Sequence, residues 1–108
     1  MLVAPFLRRK KKPGQTRGAS SADTAHLEQF VASRSGVEAF IEPRTTVTET
    51  TVLLVAADGE WTRRRVAGPE GASTFAKKAK LPLYDVGVVG YPQRMRDWNA
   101  KRKAEGQG

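Results

Sequence analysis

The strongest β pattern in this chain is EAFIEPRTTVTETTVLLVAADGEWTRRRV, residues 38–66. Residues 37–42 alternate Val, Ala and Ile with Glu, Phe and Glu until a proline, which lacks the N–H that a ladder needs, so a first strand is predicted there. Residues 46–57 are rich in Thr, Val and Leu, which favour a pleated, half-buried surface, and predict a second strand. Asp58-Gly59 then predicts a two-residue hairpin turn into a third strand, because both positions tolerate positive φ.

That turn implies a register and therefore two faces for the third strand. The expected facing pairs are Ala57 with Glu60, Ala56 with Trp61, Leu54 with Arg63 and Val52 with Arg65. Side chains alternate along a strand, so Arg63 and Arg65 share one face with Trp61. They could hold a nucleotide by stacking and by guanidinium contacts. The alternative is a Trp61 that fills the core while the arginines cover a sheet edge, and the core role is favoured for Trp61.

A helix is predicted before these strands. Leu27, Phe30 and Val31 recur at helical spacing and face the core, in a helix that starts with Ser21 or Asp23 as its N-cap. Gly36 ends it, since glycine accepts the left-handed conformation that follows many helices.

A helix, a strand and a last helix are predicted after the third strand. The second helix carries Ala72, Phe75, Ala76 and Ala79 at helical spacing and stops before Pro82. Residues 83–89 predict a fourth strand, in which Gly87 indicates a bulge or a close backbone approach. The last helix, with Pro92 in its first turn, aligns Tyr91, Met95 and Trp98 in a stripe that docks on the sheet or, as the less favoured alternative, stacks on bases. The fold class is therefore α+β, in the order helix, three strands, helix, strand, helix, with a small, mainly antiparallel sheet and helices packed on it.

The chain of 108 residues carries a formal charge of +8, most of it near its ends. Residues 1–18 hold six bases and no acid, residues 19–93 hold eight bases and nine acids, and residues 94–108 hold five bases and two acids. The predicted units are a disordered basic tail over residues 1–20, a single α+β domain over 21–103 and a frayed C-terminus over 104–108. The basic arms are typical of phosphate binding without sequence preference. A solubilising tail is the main alternative, and attachment to an anionic membrane surface ranks third.

The predicted nucleic-acid-binding residues combine these arms with the two arginines of the third strand that share a face with Trp61. They are Arg8, Arg9, Lys10, Lys11, Lys12, Arg63, Arg65, Arg94, Arg96, Lys101, Arg102 and Lys103. The expected partner is RNA or a ribonucleoprotein such as the ribosome, with a protein partner as the alternative.

Catalytic chemistry finds little support in the residue types. The chain has no cysteine and a single histidine, His26, without a predicted nucleophile beside it. Glu38 and Glu42 share a strand face, where a Mg²⁺ site or an acid/base pair is conceivable, but solvated carboxylates are the favoured interpretation. The sequence contains neither the GxGxxG motif of dinucleotide binding nor the GxxxxGK[ST] loop of nucleoside triphosphate binding. No catalytic residue, metal, cofactor or small-molecule ligand is therefore predicted. No stretch approaches the ~20 apolar residues of a membrane span, and the expected location is the cytoplasm.

Two resemblances add to these expectations. Residues 38–66, together with LPLYDVGVVGYPQRMRDWN, resemble a family of small proteins of high-GC Gram-positive (actinobacterial) bacteria. Its members often carry the automatic label oxidoreductase, which no motif here supports. The helix-strand-strand-strand-helix order of residues 22–80 resembles double-stranded-RNA-binding domains, whose second helix opens with a lysine cluster. The similar cluster here, residues 77–80, lies at the end of its predicted helix.

The function expected from the sequence is a non-catalytic accessory protein that binds RNA or a ribonucleoprotein through basic terminal arms. The alternatives are a protein-interaction adaptor whose tails serve solubility and, ranked last, a small enzyme.

Overall fold

A computed structural model describes residues 20–106. The basic run over residues 8–12, the rest of the predicted N-terminal tail up to residue 19, and residues 107–108 lie outside the described part. The elements are α1 Ser21–Ser33, β1 Glu38–Glu42, β2 Thr51–Val55, β3 Trp61–Arg65, α2 Gly68–Ala79, β4 Leu83–Asp85, α3 Val86–Val89 and α4 Gln93–Ala104. The predicted α+β class and element order are confirmed, with α3 as an additional short turn of helix.

The sheet is mixed, which corrects the prediction of a mainly antiparallel one. Its strand order is β3-β2-β1-β4; β2 is antiparallel to both neighbours, whereas β4 pairs in parallel with β1. Because β2 is antiparallel to both neighbours, β3 runs in the same direction as β1. Helix α2 then carries the chain across the sheet, so that β4 enters at the opposite edge and also runs in the direction of β1. Parallel strands need a crossover connection of this kind.

The turn between β2 and β3 differs from the predicted one by one residue. Val55, not Ala56, faces Trp61, so the expected register is wrong. Ala56 N–H donates to the Glu60 carbonyl at 2.8 Å, which leaves residues 57–59 as a three-residue loop. Gly59 has a φ of 96° in this loop. A three-residue hairpin loop places its glycine in the left-handed region at the third position, so the same Asp-Gly pair serves a different turn.

The two remaining strand predictions are too long. Residues 86–89 form a helical turn, because the Asp85 carboxylate accepts a hydrogen bond from Gly87 N–H at 2.7 Å and caps the turn. Gly87 is therefore not in a bulge. Ahead of β2, the hydroxyl of Thr45 accepts from Thr48 N–H at 3.0 Å, and this local bond replaces the ladder bonds expected there.

Helices α1 and α2 cover one face of the sheet, called here the α1/α2 face. Ser20, rather than Ser21 or Asp23, is the N-cap of α1, since its Oγ accepts from Asp23 N–H at 3.1 Å. The buried members of this core are Leu27, Phe30, Val37, Ala39, Val52, Leu54, Ala56, Val66, Ala72 and Phe75. The predicted core-facing stripe of α1 is thus confirmed.

Helix α4 packs on the opposite face, called here the α4 face. Met95 is 6% exposed and packs against Phe40, Leu53 and Val55, with Trp61 partly buried beside them. Every other residue of α4 is exposed or only partly buried. This single apolar contact is small, so polar contacts must hold much of the helix in place.

Candidate nucleic-acid interface

Arg94 is the main polar attachment of α4 to the sheet. Its Nη2 donates to Glu38 Oε1 at 2.7 Å and to the Val55 carbonyl at 3.2 Å, while its Nε donates to the Ala56 carbonyl at 2.9 Å. These carbonyls lie where β2 ends, so the guanidinium supplies donors at the strand terminus. The predicted nucleic-acid ligand Arg94 is therefore engaged inside the fold by a carboxylate and two carbonyl groups.

Glu42 collects a second set of polar contacts where β1 ends. Arg63 donates to its two oxygens at 2.9 and 2.7 Å, Thr51 Oγ1 donates at 2.7 Å, and the Tyr91 hydroxyl donates at 2.6 Å. Burial raises the pKa of Glu42, but the bonds from Arg63, Thr51 and Tyr91 outweigh it and hold the pKa below its ordinary value. The hydrogen bond to Glu42, followed by burial, raises the pKa of Tyr91. Arg63 is thus paired with a carboxylate that stays ionised.

These two contacts also decide what Glu38 and Glu42 can do. Both share the α4 face, as the strand pattern predicts, but each carboxylate binds an arginine, Arg94 or Arg63. Within residues 20–106, no group of three or more His, Asp or Glu side chains is placed to hold a metal ion. In this arrangement the two carboxylates act as anchors for α4 and β3.

Trp61 takes part in the packing of α4 and retains a polar contact. Its Nε1 donates to Asn99 Oδ1 at 2.8 Å, and the Arg63 guanidinium lies 5.0 Å from its ring centroid. The ring also contacts the cluster around Met95. Trp61 is therefore partly buried in the core of the α4 face and partly exposed, which lies between the two roles weighed from the sequence.

The end of α4 presents cations to solvent. Lys101, Arg102 and Lys103 are exposed and form no ion pair with another described residue, and we call them the cationic tip. The Arg102 guanidinium lies 5.7 Å from the Trp98 ring centroid, a cation–π distance. Within the described part of the chain, Arg96 donates to neutral acceptors, the Tyr91 carbonyl and the Gln93 side chain, and no carboxylate there pairs with it.

The predicted binding residues of the described part do not form one patch. Arg65 is exposed at the far end of β3, four residues from Trp61 and so about 13 Å from it along the strand. The cationic tip lies at the Trp61 end, where Arg102 lines a cleft with that ring. The structure thus brings the three tip cations together, separates Arg65 from them, and pairs Arg63 and Arg94 with the carboxylates of Glu42 and Glu38.

A cleft between the hairpin and α4 adjoins the cationic tip. We call it the tryptophan cleft; its volume is about 310 Å³ and its lining residues are Glu60, Trp61, Trp98, Asn99 and Arg102. Glu60 is held in the wall by Arg34, which donates to its two oxygens at 2.6 and 3.3 Å. Neither Asn99 nor Glu60 is predicted as a site residue from the sequence. The spacing of Trp98 and Arg102, four residues apart on one helix, is the available signal for this cleft.

A larger cleft lies elsewhere and has mixed charge. It has a volume of about 620 Å³ between α1, the loop after β1 and the start of α2. Its charged lining residues are Glu28, Arg44, Glu49, Glu70 and Lys78, so acids outnumber bases there. The lysines of residues 77–80 occupy the end of α2, where the sequence places them, and Lys80 adopts the left-handed cap. This cleft lacks the cationic excess that a phosphate site needs.

Comparisons with known proteins leave the function to be argued from this geometry. No family model, curated protein or solved structure matches the chain. The actinobacterial resemblance therefore stays a prediction. Across residues 20–106, no helix combines the length and the apolar character needed to cross a membrane.

Proposed function

We propose that this is a non-catalytic accessory protein of the cytoplasm that binds RNA, free or in a ribonucleoprotein such as the ribosome. The binding elements are the cationic tip of α4 and the basic run over residues 8–12. The observation that carries the proposal is the contrast along α4. Its first half is fastened to the sheet through Arg94 and Met95 and lies against the hairpin loop at Trp98, whereas the cations of its last turn form no ion pair among the described residues.

The helix itself gives part of the reason for basic residues at its end. Cations near a helix C-terminus interact favourably with the macrodipole, by about 0.3–1 kcal/mol each at the surface. That effect needs one or two cations and no partner. Three consecutive cations spread over about 200° of the helix circumference, because successive residues differ by about 100°. A phosphate backbone that passes the tip can therefore meet a cation from several directions, which suits binding without sequence preference.

The cations of the basic run and of the cationic tip predict a definite salt dependence. The basic run and the cationic tip together supply eight cations. If all eight neutralise phosphates of a single strand, the slope of log affinity against log salt approaches about −6. An interface held mainly by apolar contacts has no such slope.

A second candidate function, a protein-interaction adaptor, is favoured by a different surface. Val88 and Val89 of α3 are 82% and 55% exposed, and the exposed rings of Tyr84 and Tyr91 flank them in the chain. Exposed apolar side chains that cluster near a sheet edge are typical of docking surfaces. Such docking would proceed without the cationic tip and with little response to salt.

The test replaces the cationic tip while the fold is kept. In the full chain, Lys101→Gln, Arg102→Gln and Lys103→Gln are combined, and affinity for a labelled single-stranded RNA of about 20 nucleotides is measured by fluorescence anisotropy at several salt concentrations. Loss of three phosphate contacts should make the slope shallower by about 2. Affinity at low salt should fall with it.

A matched control removes the same charge from another helix end. Lys77→Gln, Lys78→Gln and Lys80→Gln are combined, and this variant should keep the parent's slope. Equal changes in both variants would mean that net charge alone attracts RNA and that the tip is no site. A parent that binds neither RNA nor DNA at about 50 mM salt would favour the adaptor instead.

A further inference from the structure

The tryptophan cleft and the cationic tip are adjacent, and their chemistry differs. Arg102 belongs to both: it lines the cleft, and it lies between Lys101 and Lys103 in the tip. We infer that the cleft binds an unpaired nucleobase while the tip holds the neighbouring phosphates, so that the protein selects single-stranded over double-stranded RNA. This inference rests on the proposed function and names the form of RNA that the site accepts.

The walls of the cleft are suited to the flat face of a base. Trp98 and Trp61 bring two partly exposed indoles to one opening, and the Arg102 guanidinium stands 5.7 Å from the Trp98 ring centroid. Proteins bind single strands by stacking bases on aromatic rings beside cations, irrespective of sequence. In a duplex the base faces are already stacked on one another, so such walls cannot reach them.

The polar groups of the cleft are suited to the edge of a base. Asn99 Oδ1 accepts from Trp61 Nε1 at 2.8 Å, and this bond assigns the amide orientation. The Asn99 Nδ2 group then keeps two N–H donors, and it makes no hydrogen bond with another described residue. Bases carry carbonyl and ring-nitrogen acceptors on their edges, which these donors can recognise.

The charge of the cleft wall argues for a base rather than a phosphate inside it. Glu60 carries a carboxylate at the wall, fixed by Arg34 at 2.6 Å. Glu60 and Arg102 offset each other in the lining, so the cleft itself has no excess of positive charge for a phosphate, whereas a neutral base can donate an N–H to the Glu60 carboxylate. The backbone is therefore expected to run along Lys101 and Lys103, outside the cleft.

The experiment measures stacking and charge separately. Trp61 and Trp98 are the chain's two tryptophans, so intrinsic fluorescence reports the cleft directly. The full-length parent is titrated with a single-stranded RNA of about 10 nucleotides and with the same strand annealed to its complement. We expect the single strand to quench the tryptophan emission and to bind at least about 10-fold more tightly than the duplex.

Two variants complete the test. Trp98→Leu keeps a Cβ at the contact with Gly59 and removes the stacking surface, and it should weaken single-strand affinity about 10-fold to 100-fold with the parent's salt slope. Asn99→Asp keeps an acceptor for Trp61 Nε1 but replaces the free donors, and it should also weaken the single strand more than the duplex. If Trp98→Leu fails to fold, Asn99→Asp decides. The Trp61 Nε1–H resonance and the melting curve verify folding.

The outcomes separate this inference from the proposed function. The cleft does not bind a base if the single strand and the duplex bind with equal affinity, tryptophan emission is not quenched, and the folded variants bind RNA as tightly as the parent. Binding of RNA by the cationic tip would then remain. A preference for single-stranded RNA that is unchanged in both folded variants would likewise mean that the cleft does not bind the base. Absence of RNA binding at about 50 mM salt overturns the proposed function and, with it, this inference.

Discussion

Gly59 is the position where the hairpin touches the backbone of α4, so a single methyl group there tests how the helix docks. An ideal Cβ on Gly59 would lie 2.8 Å from the Arg94 carbonyl carbon and 3.0 Å from Trp98 Cβ, and it would also meet the Arg94 carbonyl oxygen. Two of these neighbours are backbone atoms of a helix, which cannot rotate away. Gly59→Ala therefore requires α4 to move relative to the sheet.

Two costs add up in this substitution. A non-glycine residue at a φ of 96° is strained by about 1–2 kcal/mol. Overpacking against fixed atoms costs a further ~1–3 kcal/mol. Gly68→Ala separates the backbone strain from the overpacking. Gly68 also has a positive φ, 71°, but beyond its chain neighbours and the adjacent helix backbone no atom lies within 4 Å of its ideal Cβ. The expected difference in the free energy of unfolding between these variants is therefore about 1–3 kcal/mol. A difference of this size lowers the melting temperature of Gly59→Ala by at least ~4 °C relative to Gly68→Ala.

Urea denaturation of the parent and both variants measures this difference, and the Trp61 Nε1–H resonance shows whether the bond to Asn99 survives. In Gly59→Ala that resonance should shift, because the same movement of α4 that relieves the clash separates the two side chains. In Gly68→Ala it should stay at its parental position. Free energies of unfolding within about 0.5 kcal/mol of each other in the two variants would mean that α4 does not press on the hairpin.

Two further substitutions test the polar anchors of the α4 face. Because the pKa of Glu42 is lower in the folded protein than its ordinary value of 4.5, its contribution to stability is present above that pH and is lost as the pH falls through the folded pKa. Glu42→Gln should therefore lower the free energy of unfolding by about 1–3 kcal/mol at pH 7. It should also make that free energy less dependent on pH below 4.5, which urea titrations at several pH values measure. If the free energies of unfolding of parent and variant fall in parallel below pH 4.5, the prediction is wrong. Arg94→Lys keeps the charge but loses the fork that reaches Glu38 and two carbonyl groups, so the free energy of unfolding should fall by about 1–3 kcal/mol. A variant as stable as the parent would mean that these bonds contribute nothing net.

The hairpin shows why a local signal can be correct in kind and wrong in detail. Asp58-Gly59 does form the turn between β2 and β3, but the turn contains three residues. Glycine with positive φ serves both two-residue and three-residue loops, so the dipeptide does not discriminate between them. In the folded chain, the three-residue loop directs Gly59 against the backbone of α4, where no other residue fits. This contact joins residues 35 positions apart, beyond the reach of a turn pattern.

The cations show more clearly which properties the sequence determines and which depend on the tertiary structure. Their number and their concentration near the chain ends are properties of the sequence, and so are the helix and strand periodicities, because these depend on neighbours within a few residues. Which cations remain available depends on distant partners: Arg63 meets Glu42 across the sheet, and Arg94 meets Glu38 across 56 positions. Side-chain type alone cannot distinguish a paired arginine from an exposed one.

The parallel placement of β4 and the tryptophan cleft also depend on contacts between segments that are distant in the sequence. Strand β4 joins β1 only because α2 carries the chain across the sheet, and Trp61 meets Asn99 only because α4 returns over the opposite face, 38 positions later. Local hydrogen bonds and apolar spacing determine that these helices and strands form. The burial of apolar faces and the pairing of charges between distant segments, which tertiary packing alone brings together, determine where they lie.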